Sequence, residues 1–306
     1  MSDGEAETGM QTRCGFIAVI GAPNAGKSTL VNTLVGTKVA IVSRKVQTTR
    51  TMLRGIAIEG TSQLVFIDTP GIFAPRRRLD RAMVEAAWGG AGDADLVLLV
   101  VDAAKGIDED VERILGKLKD IRQPRLLALN KIDRVRKERL LELAADLNAP
   151  LPFTATFMIS ALDGDGVADL KAHLARTVPP GPWHYPEDEV TDAPMRVLAA
   201  EITREKVYDR LHDELPYQIA VETTAWTEQG KAVRIEQTIF VERDSQKSIV
   251  LGKGGAMIKQ LSMESRKELT EILERAVHLF LFVKVREGWG DDPARYRDLG
   301  LTFPKE

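Results

Sequence analysis

The eight residues Gly21-Ala22-Pro23-Asn24-Ala25-Gly26-Lys27-Ser28 constrain this chain more than any other stretch. They satisfy the pattern G-x-x-x-x-G-K-[ST]; an aliphatic run leads into them from Phe16, and apolar residues at helical spacing follow. Strand, glycine loop and helix in that order make an anion cradle. Glycines 21 and 26 free the backbone to wrap, so that successive N–H groups point at phosphate. The positive end of the following helix lies beneath the anion. The cradle is expected to run through Gly21, Asn24, Ala25, Gly26, Lys27, Ser28 and Thr29. Lys27 supplies a fixed charge to the outer phosphates, and the Ser28 hydroxyl is placed to ligate Mg²⁺.

The surrounding pattern fits that cradle. Apolar runs at 16–21, 64–68, 96–102, 125–130 and 157–160 alternate with helical spacing over 28–34, 80–88, 108–118, 137–147 and 167–175. Such alternation predicts a mainly parallel sheet with helices on both faces. Residues 51–59 are expected to add one strand, hairpinned through Glu59-Gly60-Thr61.

Three further motifs follow in order. Asp68-Thr69-Pro70-Gly71 ends the strand after the hairpin, where the carboxylate can hold Mg²⁺ through water and the Gly71 N–H can meet a γ-phosphate. Asn130-Lys131-Ile132-Asp133 chooses the base. The Asp133 carboxylate can accept both donors on the N1–H and N2–H₂ edge of guanine, a pair adenine lacks. The Lys131 stem can lie along the ring. Ser160-Ala161-Leu162 then places the Ala161 N–H toward the guanine O6. Together these read as a site for GTP or GDP with Mg²⁺.

The alternation stops at Pro179-Pro180-Gly181-Pro182, followed by Pro186, Glu187, Asp188 and Glu189, a linker with little to bury. Beyond it a helix is expected over 199–214, strands over 217–226 and 232–242, a glycine cluster within 248–258, a helix to about 276 and a strand over 278–286. Gly252-Lys253-Gly254-Gly255 is a G-x-x-G loop, which can clamp a nucleic-acid backbone because glycines admit phosphate and Lys253 adds charge. The α-β-β-[GxxG]-α-β order resembles the type II K-homology (KH) domain. Lys247 and Lys259 flank the loop as further RNA contacts. The expected organisation is a tail over 1–13, a nucleotide domain over 14–178, a linker over 179–192 and an RNA-binding domain over 193–306.

Charge is informative only locally. The net charge is −3, and residues 193–306 hold 18 basic and 19 acidic side chains, so RNA affinity must come from the patch around the glycine loop. Residues 38–54 carry five basic residues and no acidic one, a pattern of solvated surface or of contact with a polyanion. The single cysteine, Cys14, excludes an intramolecular disulfide. No apolar stretch approaches the ~18 residues that a membrane span needs, and residues 1–13 lack a signal-peptide core. The expected location is cytoplasmic.

The first half resembles the translation-factor-related GTPases. That resemblance implies a switch threonine on Mg²⁺ and the γ-phosphate: Thr49 in Val46-Gln47-Thr48-Thr49-Arg50, with Thr48 the alternative and Ser43 and Thr51 weaker. Lys27, Thr49 and Gly71 are then the groups expected to act on the reacting phosphate. Ras-like enzymes orient the attacking water with a glutamine after D-x-x-G, but Ile72 stands here, so hydrolysis is expected to be slow. A potassium ion held by Asn24, as in potassium-stimulated members, is one substitute.

The whole chain from Phe16 onward resembles the Era family of bacterial ribosome-assembly GTPases. The likeness rests on Asp68-Thr69-Pro70-Gly71-Ile72, Gln47-Thr48-Thr49-Arg50, Tyr185-Pro186-Glu187-Asp188 and the glycine loop. It implies nucleotide-controlled binding to 16S ribosomal RNA near its 3′ end, a role in 30S subunit assembly as a monomer, and peripheral contact with the inner face of the cell membrane. A tRNA-modifying GTPase of the same superfamily is disfavoured, because no cysteine follows Cys14. A passive RNA binder is disfavoured by the complete nucleotide motifs.

Overall fold

The structure, a computed structural model, describes residues 11–304 apart from 44, 46–48, 51, 76, 212–214, 216–218 and 289–291. The expected tail lies outside that set except for its last residues, and Arg13 already opens the first strand.

The aliphatic runs form one sheet from β1 (Arg13–Ile20), β2 (Leu53–Glu59), β3 (Ser62–Asp68), β4 (Leu96–Asp102), β5 (Arg125–Asn130) and β6 (Ala155–Ile159). Its order is β2-β3-β1-β4-β5-β6; only β2 runs antiparallel, against β3. Every residue of β3 and β4 is buried, because helices cover both faces. On one face α1 (Lys27–Val35) and α5 (Val167–Thr177) pack Leu30, Leu34, Leu170 and Leu174 against Val19, Phe66 and Leu98. On the other, α2 (Arg78–Asp93), α3 (Glu109–Leu118) and α4 (Lys137–Asn148) pack Ala87, Ile114 and Leu143 around Ile20, Leu99 and Leu129. The loops leaving β1, β3, β5 and β6 therefore open at one end of the sheet, where such sheets hold ligands.

The α2 helix runs past the expected 80–88 through three glycines, each costing ~1 kcal/mol relative to alanine in a helix. Burial of Ala87, Trp88 and Ala91 outweighs that cost. Gly90 has its own reason: a Cβ there would stand 3.2 Å from the Met52 sulfur.

The linker is no free tether. Pro179 O accepts from Cys14 N at 3.1 Å, Trp183 Nε1 donates to Thr61 O at 3.1 Å, and Val190 O accepts from Ile56 N at 2.8 Å. The Gln63 carboxamide takes the N–H groups of His184 and Tyr185 at 2.9 and 3.0 Å. These bonds lay the segment along the β2–β3 edge.

The second half begins with α6 (Met195–Arg210), opened by Pro194 four residues before the expected start. Then come β7 (Ala220–Gln229), β8 (Ala232–Val241), α7 (Asp244–Leu251), α8 (Ala256–Leu273) and β9 (Ala276–Val285). The sheet order is β7-β8-β9, with β8 and β9 parallel, so a crossover is required, and α7 and α8 supply it. Leu198, Ile202, Val207 and Leu261 press on Ile235, Ile239 and Leu279. The fold is a P-loop GTPase domain followed by a type II KH domain.

One element was not expected, α9 (Pro293–Asp298). Its Tyr296, with Leu301, packs on Ala82 and Met83 of α2, and Phe303 meets the Tyr296 ring edge-on at 4.8 Å. The chain's last segment thus lies on the first domain.

Candidate guanine-nucleotide and RNA sites

The phosphate loop is shaped by its backbone. Gly21 has φ 155°, and a Cβ there would fall 2.3 Å from Val100 O; at Gly26, φ 98°, it would fall 2.2 Å from Asn130 Nδ2. Lys27, only 6% exposed, donates to Gly21 O and Ala22 O, both at 3.0 Å. Burial lowers its pKa to about 8, partly opposed by the Asp68 charge. An anionic phosphate beside it acts in the same sense as Asp68.

Ser28, Thr49 and Asp68 converge from three separate segments. Ser28 Oγ donates to Asp68 Oδ2 at 2.7 Å, Thr49 Oγ1 donates to the same oxygen at 3.1 Å, and the two hydroxyls are 3.0 Å apart. Asp68 is fully buried and burial raises its pKa, yet its Oδ1 has no hydrogen-bond partner. Three hard oxygens, one of them an unsatisfied buried carboxylate, fit Mg²⁺ with phosphate and water completing the shell. Thr48 and Thr51, the alternatives to Thr49, lie outside the described residues, and Ser43 Oγ points instead to Asp209 at 3.4 Å.

Asn24, Gly26, Lys27, Ser28, Thr29, Thr49 and Gly71 line one recess with Ile41, Val42 and Ser43. Asn24 has φ 63°, and its carbonyl takes Lys131 Nζ at 2.7 Å. Gly71 lies close to Pro23, where a Cβ would stand 3.0 Å from Pro23 Cα. Ile72 is 1% exposed and belongs to the core, so its side chain is turned away from the phosphates.

The base-side loops are tied to the phosphate loop through Asn130. Its Nδ2 donates to Ala25 O at 2.9 Å, and its Oδ1 accepts from Ala161 N at 2.9 Å. The Ala161 N–H expected to meet guanine O6 here donates to Asn130 Oδ1, which also accepts from Lys131 N at 2.8 Å. Ser160 Oγ lies 3.0 Å from Asp133 Oδ1, which orients that carboxylate. Leu162 is 76% exposed, at the open rim.

Sequence reasoning missed several neighbours. Asp102, which ends β4, holds Lys131 Nζ at 2.6 Å; a carboxylate closing a buried strand was the available signal. Tyr208 and Asp209 of α6 line a cleft of about 870 Å³ together with Asn24, Gly26, Thr29, Lys131 and Arg134, a contribution from the second domain that carries no sequence signature.

Of the five cations expected over 38–54, Arg44 lies outside the described residues and the other four are already engaged within the chain. Lys38 bridges Glu205 at 2.6 Å and also Glu268, while Val42 N donates to Glu205 at 2.8 Å. Lys45 reaches Leu211 O, Arg50 reaches Ile219 O and Tyr208 OH at 2.7 Å each, and Arg54 bridges Asp192 at 2.6 Å. These partners lie on the linker and the KH domain, beyond the reach of a local charge count.

In the glycine loop, a Cβ on Gly252 would meet Met257 Cβ at 2.7 Å, whereas Gly254 and Gly255 face open space with φ 59° and 78°. Lys253 and Lys259 are exposed and Lys247 half-buried, on the loop, α8 and α7. The loop therefore presents backbone to an incoming strand.

A family described as 50S ribosome-binding GTPase matches residues 16–131, and the KH domain family matches 214–290. GTPase Era of Bradyrhizobium sp. (strain BTAi1 / ATCC BAA-1182) is 65% identical over 302 residues, 98% of each chain. That of Rhizobium meliloti (strain 1021) is 62% identical over 309 residues, 100% of this chain and 99% of its own. Two solved structures each superpose with TM-score 0.90 at 36% identity. One is a single-residue variant of Aquifex aeolicus Era bound to GDP·AlF4⁻; the other is Era in complex with MgGDPNP and nucleotides 1506–1542 of 16S ribosomal RNA. Each match covers 94% of this chain and 99% of the solved one.

Proposed function

The chain belongs to the GTPase Era family, and we propose that it couples GTP hydrolysis to binding of 16S ribosomal RNA near its 3′ end during assembly of the 30S subunit. It is a GTPase that takes guanine nucleotide with Mg²⁺. The observation that carries the coupling is that both segments answering to the γ-phosphate touch the KH domain. The segment around Thr49 is bound to α6, and α2, which follows Gly71, lies under α9.

The positions of individual residues support the following roles. Lys27 leaves two backbone carbonyls to meet the β- and γ-phosphates. Ser28, Thr49 and Asp68 hold Mg²⁺, which when bound offsets charge on those phosphates. Asp133 selects guanine, Lys131 covers the ring, and Asn130 fixes the loops that carry them. In the KH domain Gly254 and Gly255 admit the RNA backbone, with Lys247, Lys253 and Lys259 supplying charge. Loss of the γ-phosphate releases Thr49 and Gly71, and the bound domains move as bodies.

Among the described residues no helix is long and apolar enough to cross a membrane. The proposal places the protein in the cytoplasm as a monomer, touching the inner face of the cell membrane at most peripherally. RNA affinity measured at one salt concentration, with GDP and with a non-hydrolysable GTP analogue, tests the coupling. Tighter binding with the analogue is expected, and equal affinities would refute nucleotide control. Gly254→Asp, which sets a carboxylate where phosphate must lie, should abolish RNA binding without altering GTP affinity.

A further inference from the structure

Arg50 is a deeply buried cation between the two domains, at 3% exposure. Its Nη1 donates to Ile219 O and its Nη2 to Tyr208 OH, each at 2.7 Å, and the guanidinium lies 5.6 Å from the Tyr208 ring centroid. Tyr208 is itself fully buried in α6 and carries Arg204 at 5.1 Å, which is held by Glu201. A guanidinium withdrawn from water this far needs partners for its donors, and Nη1 and Nη2 find theirs on the KH domain.

The neighbouring side chain reaches the other way. Thr49 Oγ1 stands 3.0 Å from Ser28 Oγ and 3.1 Å from Asp68 Oδ2. Adjacent residues thus join the magnesium-binding oxygens to the second domain with no intervening segment.

We propose that Arg50 is a positioning residue for GTP hydrolysis: anchored on Tyr208 and Ile219, it holds Thr49 at the magnesium site, so that the KH domain is part of the nucleotide machinery. The inference rests on the nucleotide site described above. GDP leaves no γ-phosphate for Thr49 to meet, so the anchor bears on GTP and its turnover and not on GDP. It also gives RNA a route to the phosphates. Anything that shifts α6 shifts Thr49 through one residue.

The test uses the full chain with Arg50→Ala, Arg50→Lys and Tyr208→Phe. Tyr208→Phe deletes one acceptor in the other domain and keeps the ring, so it remains informative if Arg50→Ala fails to fold. Each should lower kcat for GTP, by about tenfold for Arg50→Ala and less for the other two. Affinity for a non-hydrolysable GTP analogue should fall in parallel while GDP affinity holds. In ligand-free protein, Tyr208→Phe should speed tryptic cleavage within residues 38–54, a readout independent of turnover. A purely local role for Arg50 predicts no effect from Tyr208→Phe on kcat or on cleavage. Wild-type rates in all three variants, beside an active wild type and an inactive Lys27→Ala, would overturn the inference alone. A wild type with no GTP turnover would overturn the nucleotide reading and this inference with it.

Discussion

The N–H of Ile72 donates to the carbonyl of Gly21 at 3.1 Å, which ties the loop after β3 to the phosphate loop. That bond holds Gly71 beside the phosphate loop and leaves the Ile72 side chain in the core. No side chain at this position can then orient water, and catalysis must draw on something else.

Asn24 shares a recess with Lys27, Thr49 and the 41–43 segment, which makes it the candidate ligand for a potassium ion in that role. GTP turnover is expected to be slow in sodium and to rise in potassium, and Asn24→Ala should abolish the rise. Equal rates in both salts, or stimulation surviving in the variant, would remove the cation from the mechanism.

The proposed choice of guanine rests on Asp133. Asp133→Asn should weaken GTP binding by ~2–4 kcal/mol and improve binding of xanthosine triphosphate, whose C2 carbonyl can pair with the new amide. Titration of both nucleotides against both proteins measures this. Unchanged GTP affinity would mean that another group reads the base.

Acid should loosen the seam between domains. Burial pushes the Glu268 carboxyl up, but hydrogen bonds and charge from Lys206 and Lys38 outweigh it and hold the group below its ordinary 4.5. A carboxylate depressed in the fold contributes stability above its unfolded pKa and loses it as pH falls through the folded one. The melting temperature of wild type should therefore exceed that of Glu268→Gln above pH 4.5, the ordinary value, and the gap should close in more acid solution. A gap that stays constant with pH would exclude the ion pair as its source.

The contact of α9 with α2 should behave as a local dock. Tyr296→Ala removes a buried aromatic ring and should cost ~3 kcal/mol of that contact. Hydrogen exchange should rise across residues 293–303 and the exposed side of α2, with β1 and β4 still protected. Loss of protection throughout the sheet would show that α9 belongs to the global fold.

What could be read beforehand was what is local. The limits of β4 and β5 were legible because unbroken aliphatic runs end there at Asp102 and Asn130, and the nucleotide loops because each carries its chemistry within a few residues. Arg50 was not. In the sequence it is one of a run of surface-like cations, and its acceptors lie in another domain. Nor was α9, a six-residue helix whose buried Tyr296 has a meaning only against Met83. The Ala161 N–H was assigned from its place in the motif, and the Asn130 carboxamide that takes it could be found only in three dimensions.

The position of α9 in the chain sets an order of events during synthesis. The sheet and α2 emerge early and can fold as a unit, since domains fold in sequence as the chain is made. The apolar stripe of α2 around Ala82 and Met83 gains its cover only when Tyr296 and Leu301 have been added. A nascent chain therefore carries an uncapped greasy strip on α2 until α9 has been made. Synthesis of α9 is the step that seals it.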